Sequence, residues 1–128
     1  LAKSEIIKNI KAGGSIILNA DDQFYNLHKK IAQKRKLKIR SFGVNKKNCD
    51  VSLDYIIKKK LKYKILVNIN KSKRYFYLNS NFENDIKNLL AAISVISIFK
   101  DINKLDNNIF YNYKTPEGRG DISKIKIF

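Results

Sequence analysis

Two carboxylates and one arginine have neighbours that suit them to binding or chemistry. Asp21 and Asp22 directly follow a short apolar stretch. At the carboxyl end of a strand such side chains cap the next helix or lie near a ligand, and we expect capping as the commoner role. Arg119 stands between Gly118 and Gly120. A guanidinium fork on a glycine-flanked hinge suits phosphate oxygens, and the alternative is an exposed arginine in a linker.

The remaining reactive side chains carry less information. His28 is the only histidine, and we expect it to be solvated on the charged face of a helix. Cys49 has no motif around it, and a single cysteine excludes an internal disulfide and a multi-cysteine metal cluster. A lone cysteine suits a reducing compartment, so we expect a cytoplasmic protein.

The composition indicates a compact basic domain. The chain has 128 residues, 44% hydrophobic and 30% charged, with a net charge of +16. Such a charge admits a small nucleic-acid-binding module, which predicts lysines gathered on one face and salt-dependent binding. The lysines are instead spread along the chain and arginine is scarce, so nucleic acid is the less favoured partner. The longest apolar run, Leu89–Phe99, is shorter than the roughly 20 residues of a membrane span.

Hydrophobic spacing predicts an α/β fold in the first third of the chain. Helical spacing covers Ala2–Ile10 and about Gln23–Lys34, where Phe24, Leu27 and Ile31 share a face. Strands are predicted at Ser15–Leu18 and at Lys38–Phe42. A strand, a helix and a second strand in this order are typical of an open parallel sheet.

The rest of the chain changes from strands to helices. Strands are predicted at Val51–Ile57, Tyr63–Ile69 and Tyr75–Leu78, as a β-hairpin or small meander. A well-buried helix is predicted at Asn84–Lys100, and a shorter helical stretch at Ile102–Phe110.

A domain boundary is expected within residues 112 to 120, where Pro116 and the glycines interrupt regular structure. Residues 1–112 then form one domain, and residues 113–128 a hinge followed by the first strand of another. That strand is predicted at Ile122–Phe128.

Four segments, taken in order, resemble the Mur ligase family. They are Ala2-Lys3-Ser4-Glu5-Ile6, Ile17-Leu18-Asn19-Ala20-Asp21-Asp22, Asn88-Leu89-Leu90-Ala91-Ala92 and Gly118-Arg119-Gly120, with Ser41-Phe42-Gly43 after the second. Their order and spacing cover nearly the whole chain. The opening A-K-x-E-I and the P-x-x-G-R-G at Pro116 to Gly120 look most like MurF-type members. The resemblance implies the second half of the family's central ATPase domain, a mostly parallel sheet with helices and a small hairpin or meander.

The resemblance also implies an activity. The family forms an acyl phosphate from a carboxylate and ATP with Mg²⁺, and an amine then attacks it to give an amide. A MurF-type enzyme of peptidoglycan synthesis would join D-alanyl-D-alanine to a UDP-muramoyl tripeptide, bound through domains outside this chain, and we expect the full-length enzyme to be a monomer. MurE-type and folylpolyglutamate-type ligases are alternatives. These 128 residues contain no G-x-x-x-x-G-K-[ST] loop, which the family carries upstream, so we expect this piece to be inactive alone.

Site residues follow from the same resemblance. In the family the lysine that matches Lys3 is carbamylated and binds a second Mg²⁺, and a carbamate supplies the oxygen ligands that a hard cation prefers. The arginine that matches Arg119 moves toward the ATP phosphates when the domains close. Both are implied catalytic residues.

The implied adenine site departs from the family pattern. The family shows H-N-x-x-N at the start of its helix, and Asn88 matches the second asparagine. An amide donates to adenine N7 and accepts from the exocyclic amine, whereas Asp85, at the first asparagine position, cannot donate when ionised. Asn84 takes the histidine position. The alternative is that Asn84 or Asp85 only caps the helix.

Overall fold

The fold is known from a computed structural model that describes residues 2–111 and 125–127, with side chains described for residues 4–111. Its helices and strands are α1 (Ala2–Lys8), β1 (Ser15–Asn19), α2 (Tyr25–Lys34), β2 (Lys38–Gly43), β3 (Val51–Lys58), β4 (Tyr63–Ile69), β5 (Ser72–Leu78), α3 (Glu83–Phe99) and β6 (Ile125–Ile127). None of the helices in these residues is both long and apolar enough to cross a bilayer.

One sheet contains all the described strands, in the order β5-β4-β3-β2-β1-β6. Strands β6, β1, β2 and β3 pair in parallel, and β3, β4 and β5 pair antiparallel as a meander. The prediction of a mostly parallel α/β sheet with a small meander is therefore confirmed.

Helices cover the sheet on both faces, and side-chain alternation along β1 assigns each residue to one of two cores. Ile17 faces the larger core beneath α3, together with Phe42, Val67 and Phe76. Ile16 and Leu18 face the smaller core beneath α1 and α2. A strand with both faces buried is expected to be a continuous apolar run, as Ser15–Leu18 is.

The observed face of α2 differs from the predicted one. His28 is only 2% exposed, whereas Leu27 is 44% exposed. The helix packs through His28 and Ala32, which lie one turn apart on one face, with Tyr25 and Ile31 partly buried beside the same core. The prediction of a solvated His28 is therefore wrong.

The hairpin between β4 and β5 is tighter than predicted. Asn70 and Lys71 both have positive φ, at 49° and 72°, and Ile69 pairs directly with Ser72. A two-residue turn of this kind matches the right-handed twist of the flanking strands. Strand β5 therefore begins at Ser72 rather than Tyr75.

Two predicted helices are shorter in the structure. Helix α1 ends at Lys8 rather than Ile10, before a turn in which Gly13 has a φ of 84°. The stretch at Ile102–Phe110 contains only a 3₁₀ turn, Ile102–Lys104, which Asp101 caps by accepting from the backbone N–H of Asn103.

Strand β6 lies within the segment predicted to open a second domain. Ser15 pairs with Ile125 and Ile17 with Ile127, so β6 extends the same sheet beyond β1. Residues 112–124 lie outside the described part, and the domain boundary expected within residues 112 to 120 stays a prediction.

Candidate functional site

The candidate site lies at the end of the sheet where the parallel strands β1 and β2 finish. Asn19 is paired with Phe42, and Ala20 continues the pairing by donating to the Phe42 carbonyl over 2.7 Å. Beyond Gly43 the chain forms a loop, residues 44–50, before β3 begins. Ligands of open α/β sheets bind at this carboxyl edge.

Asp21 organises that loop. Its carboxylate accepts backbone N–H groups from Val44 at 2.7 Å, Asn45 at 3.2 Å and Lys46 at 2.8 Å. Partial burial opposes ionisation of Asp21, but these hydrogen bonds outweigh it and lower the pKa of the carboxyl group below its ordinary value. The carboxylate is thus a fixed negative centre that holds three loop amides.

The predicted capping role of Asp21 and Asp22 is wrong. The N-cap residue of α2 is Phe24, and no side chain caps it. Asp21 reaches across to the loop instead, because its backbone is turned by a hydrogen bond from its N–H to the Asn19 side chain. Asp22 accepts from the Phe24 N–H at 2.9 Å, which shapes the turn before the helix.

Gly43 allows the loop to fold back this closely. A Cβ atom at this position would lie 2.7 Å from the Lys46 carbonyl oxygen and 3.4 Å from a carboxylate oxygen of Asp21. A Cβ atom this close to a backbone oxygen could be accommodated only if the loop moved. The observed loop conformation therefore requires a glycine at position 43.

Cys49 lies near the end of the loop and contacts its backbone. Its thiol contacts the carbonyl oxygens of Lys46 at 3.4 Å and Val51 at 3.3 Å. Burial, followed by the charges of Asp21 and Asp50, raises the pKa of the Cys49 thiol to about 11. The thiol is neutral at physiological pH, which is poor for a nucleophile or a metal ligand.

The first turns of α3 present the three residues implied to contact adenine. Asn84, Asp85 and Asn88 are all exposed, while Ile86 and Leu89 on the opposite side are buried. Residues three and four apart in a helix share a face, so these side chains form one polar strip. The structure therefore brings Asn84, Asp85 and Asn88 together.

The alternative prediction that Asn84 or Asp85 caps helix α3 is wrong. Phe82 is the N-cap residue of α3, and no side chain caps it. The Ser80 hydroxyl accepts from the Phe82 N–H at 3.1 Å and donates to Asp85 at 2.6 Å. Asp85 thus steadies the chain before the helix and keeps an exposed carboxylate.

The polar strip and the Asp21-held loop lie at the same end of the molecule. The positive charge of Lys87, one residue before Asn88, contributes to lowering the pKa of Asp21. Helix α3 packs across β1, β2 and β3, and Ser97 in its last turns binds Arg40 in the first half of β2, so its first turns face the carboxyl edge. Two independent parts of the chain therefore converge there.

Two implied site residues are not tested by this geometry. The backbone of Lys3 lies in α1, but its side chain is outside the described set, and Arg119 lies in an undescribed segment. Across the described residues, no group of three or more His, Cys, Asp or Glu side chains could hold a metal ion. The carbamate and Mg²⁺ assignments of Lys3, and the phosphate role of Arg119, stay predictions.

Sequence reasoning missed two half-buried arginines on the α3 face of the sheet. Arg40 lies two residues before Phe42 in β2, and Arg74 lies two residues before Phe76 in β5, so both arginines share the α3 face of the sheet with these core residues. Their strand parity was available from the sequence, because every second residue of a strand faces the same side.

Comparison with known proteins agrees with this architecture. The Mur ligase middle domain family matches residues 1–96. A search of curated proteins found no match.

Among solved structures, the chain is similar to MurF from Acinetobacter baumannii, with a TM-score of 0.68, 21% identity, and coverage of 92% of this chain and 25% of that one. It is also similar to UDP-N-acetylmuramoylalanyl-D-glutamyl-2,6-diaminopimelate–D-alanyl-D-alanyl ligase from the same organism, with a TM-score of 0.64, 21% identity, and coverage of 80% and 22%. A third similar structure is a UDP-N-acetylmuramoyl-L-alanyl-D-glutamate–2,6-diaminopimelate ligase, with a TM-score of 0.65, 16% identity, and coverage of 88% and 22%.

The chain thus spans a quarter or less of the length of these structures, and at such identities the likeness concerns the fold. The family match covers most of the chain, including β1 to β5 and most of α3. The chain belongs to the Mur ligase family, whose middle domain it matches.

Proposed function

We propose that this chain is part of a cytoplasmic, ATP-dependent amide-bond ligase of peptidoglycan precursor synthesis. The MurF-type reaction joins D-alanyl-D-alanine to a UDP-muramoyl tripeptide. The tripeptide carboxylate attacks the γ-phosphate of ATP to give an acyl phosphate and ADP. The dipeptide amine then attacks the acyl carbon and expels phosphate.

The polar strip of α3 is the observation that carries the proposal. Its exposed Asn84 and Asn88 amides each offer both a donor and an acceptor, which is the pattern that an adenine edge requires. Asp85, which already accepts from Ser80, adds an acceptor for the exocyclic amine. These groups fit adenine, with Asn88 as the donor to N7.

The Asp21-held loop supports the strip from the adjacent strand ends. A loop tied by three charge-assisted hydrogen bonds keeps a fixed shape beside the first turn of α3. A site whose supporting groups are already in place loses little entropy when the ligand binds. We therefore assign the loop a positioning role.

Lys3 and Arg119 complete the proposal at the phosphate end. A carbamate on Lys3 would provide anionic oxygen for Mg²⁺, and the Arg119 guanidinium would bind phosphate oxygens. Mg²⁺ would supply charge neutralisation on the transferred phosphoryl group. Substitution of Lys3 by Ala in the intact protein should reduce ligation, and unchanged wild-type ligation at low bicarbonate would contradict the carbamate on Lys3.

The direct test is a ligation assay with the intact protein. ATP, Mg²⁺, a UDP-muramoyl tripeptide and D-alanyl-D-alanine are supplied, and the amide product and released phosphate are measured. We expect equal amounts of product and phosphate, each dependent on both substrates.

The acceptor amine separates the proposal from its relatives. Product formed only when a single amino acid such as diaminopimelate or lysine is offered with a shorter peptide precursor would indicate a MurE-type enzyme. Glutamate addition to a folate would indicate a folylpolyglutamate-type enzyme. A folded intact protein that forms no amide with any of these pairs would contradict the proposal.

A further inference from the structure

A second polar cleft lies at the other end of α3. It has a volume of about 260 Å³ and combines residues of β2, the β4–β5 hairpin, the last turns of α3 and the chain that follows. Its charged and hydroxyl-bearing residues are Arg40, Ser72, Arg74, Ser97, Lys100 and Asp101. Asn88 and Ser97 are nine residues apart in one helix, so the two ends are separated by roughly 14 Å.

Arg40 is one of the residues that line this cleft. Its guanidinium donates to the Ser97 hydroxyl at 2.7 Å and to the Asn70 side-chain oxygen at 3.3 Å. Both acceptors are neutral, and within residues 4–111 no carboxylate pairs with it. A guanidinium has more N–H donors than these contacts use, so Arg40 keeps both charge and donors for a ligand.

Arg74 and Lys100 add positive charge. Arg74 donates to the carbonyl oxygens of Ile102 and Leu105, which are again neutral groups. Lys100 is exposed directly after α3. Among the described residues, the only carboxylate lining the cleft is that of Asp101, which accepts from the Asn103 N–H at 3.0 Å. Three cations thus face one anion.

Both arginines are half-buried, and within residues 4–111 neither forms an ion pair with a carboxylate. Both occupy strand positions whose neighbours of the same parity, Phe42 and Phe76, lie in the core. Charged residues at such positions are usually paired, because removing an ion from water without compensation is unfavourable. The hydroxyl, amide and carbonyl acceptors of Arg40 and Arg74 are neutral, so an anion in the cleft would be the partner that balances their charge.

We propose that this cleft binds a compact oxyanion of the phosphate class. Guanidinium forks match the geometry of phosphate oxygens, and the Ser72 hydroxyl can donate a further hydrogen bond. The volume is smaller than the several hundred Å³ typical of whole cofactors, so a free phosphate or the phosphoryl end of a larger molecule fits. The site is separate from the carboxyl edge and does not depend on the proposed ligase activity.

Titration of the intact protein with inorganic phosphate tests the proposal. Backbone amide resonances are followed at constant ionic strength, without ATP, and sulfate, acetate and a phosphate monoester are titrated in parallel. We expect saturable shifts centred on Ser72, Ser97 and Lys100, with acetate at least about 10-fold weaker than phosphate. A monoester that binds more tightly than phosphate identifies the phosphoryl end of a larger molecule as the source.

Charge-matched variants separate the cleft from general attraction to a basic protein. Lys100→Gln should weaken phosphate binding at least about 3-fold, while Lys60→Gln, an exposed position between β3 and β4, should leave it unchanged. Arg40→Lys keeps the charge but loses the fork, and should also weaken binding. Equal losses in Lys100→Gln and Lys60→Gln, or acetate binding as tight as phosphate, would overturn the proposal.

One further control isolates this site from the proposed nucleotide site. Asn88→Ala lies at the opposite end of α3 and should not change phosphate titration. Phosphate-dependent shifts centred on the first turn of α3 rather than on Ser72, Ser97 and Lys100 would show that phosphate binds at the carboxyl edge instead, and would also overturn the proposal.

Discussion

Side chains of opposite charge organise the structure at the two ends of α3. At its first turn, the Asp21 carboxylate gathers the backbone N–H groups of a loop. At its last turn, Arg40 and Arg74 gather hydroxyl, amide and carbonyl oxygens. The negative Asp21 carboxylate binds backbone N–H donors of the loop, whereas the positive Arg74 guanidinium binds backbone carbonyl acceptors of the chain after α3.

The two ends of α3 differ in the groups that remain free to bind a ligand. The hydrogen bonds to Asp21 satisfy a single carboxylate, and the exposed strip nearby offers the amides of Asn84 and Asn88 together with the Asp85 carboxylate. The arginines satisfy neutral acceptors and retain their charge. One end of the helix therefore suits a nucleobase and the other suits an anion, within the same α/β layer.

Removal of the negative anchor should have the largest effect on stability. Asp21→Ala would leave three loop N–H groups without their acceptor, and we expect a loss of about 3 kcal/mol in the free energy of unfolding. Urea denaturation measures this loss. The matched control is Asp106→Ala, an exposed carboxylate that accepts only from the Asn108 N–H, and it should cost less than about 1 kcal/mol.

The pH dependence of that anchor has a defined direction. The pKa of Asp21 is below its ordinary value of 3.8, so its contribution is complete above that pH and is lost as the pH falls through the lower folded-state value. The stability difference between the wild type and Asp21→Asn should therefore be constant from pH 7 to 5 and shrink below about pH 4. A difference that grows on acidification would contradict the assignment.

Closing the space at Gly43 should disturb the same loop to a smaller extent. Gly43→Ala places a Cβ against the Lys46 carbonyl oxygen, and we expect a loss of about 2 kcal/mol together with shifted amide resonances in residues 44–50. Gly13→Ala is the comparison, because its cost comes from a positive φ without any close neighbour. It should cost about 1 kcal/mol and leave the loop resonances unchanged.

The positive anchor should show a coupling between its two partners. In a double-mutant cycle, Arg40→Gln and Ser97→Ala should interact by about 1.5 kcal/mol, as a charge-assisted hydrogen bond does. Thermal or urea unfolding of the four proteins gives this value. Strictly additive effects would show that Arg40 does not fasten the end of α3.

Local sequence patterns predicted most of the elements. The apolar run at Ser15–Leu18, the alternation at Lys38–Phe42 and the apolar stretch from Leu89 correspond to β1, β2 and α3 within one or two residues at most ends. Patterns of this kind report on burial, and burial decides which segments become strands and helices. The polar strip of α3 was also predictable, because Asn84, Asp85 and Asn88 have helical spacing.

Features that depend on distant contacts were not predictable in the same way. Nothing local indicates that Asp21 reaches residues more than 20 positions away, or that β6 pairs with β1. His28 was misassigned because side-chain type was used as a guide to exposure, whereas the buried face of the helix contains His28 and Ala32. Arg40 and Arg74 were hidden by the same assumption about charged residues.

The most direct test of the nucleotide-binding account is the affinity of the intact protein for ATP in Asn88→Ala, compared with Asn108→Ala. Asn108 is an exposed asparagine outside the site, so the two variants lose the same chemical group. We predict that Asn88→Ala weakens ATP binding about 10-fold, equivalent to about 1.4 kcal/mol, and leaves triphosphate binding without adenine unchanged. Equal ATP affinity in the two variants would contradict the assignment of the α3 strip as the adenine site.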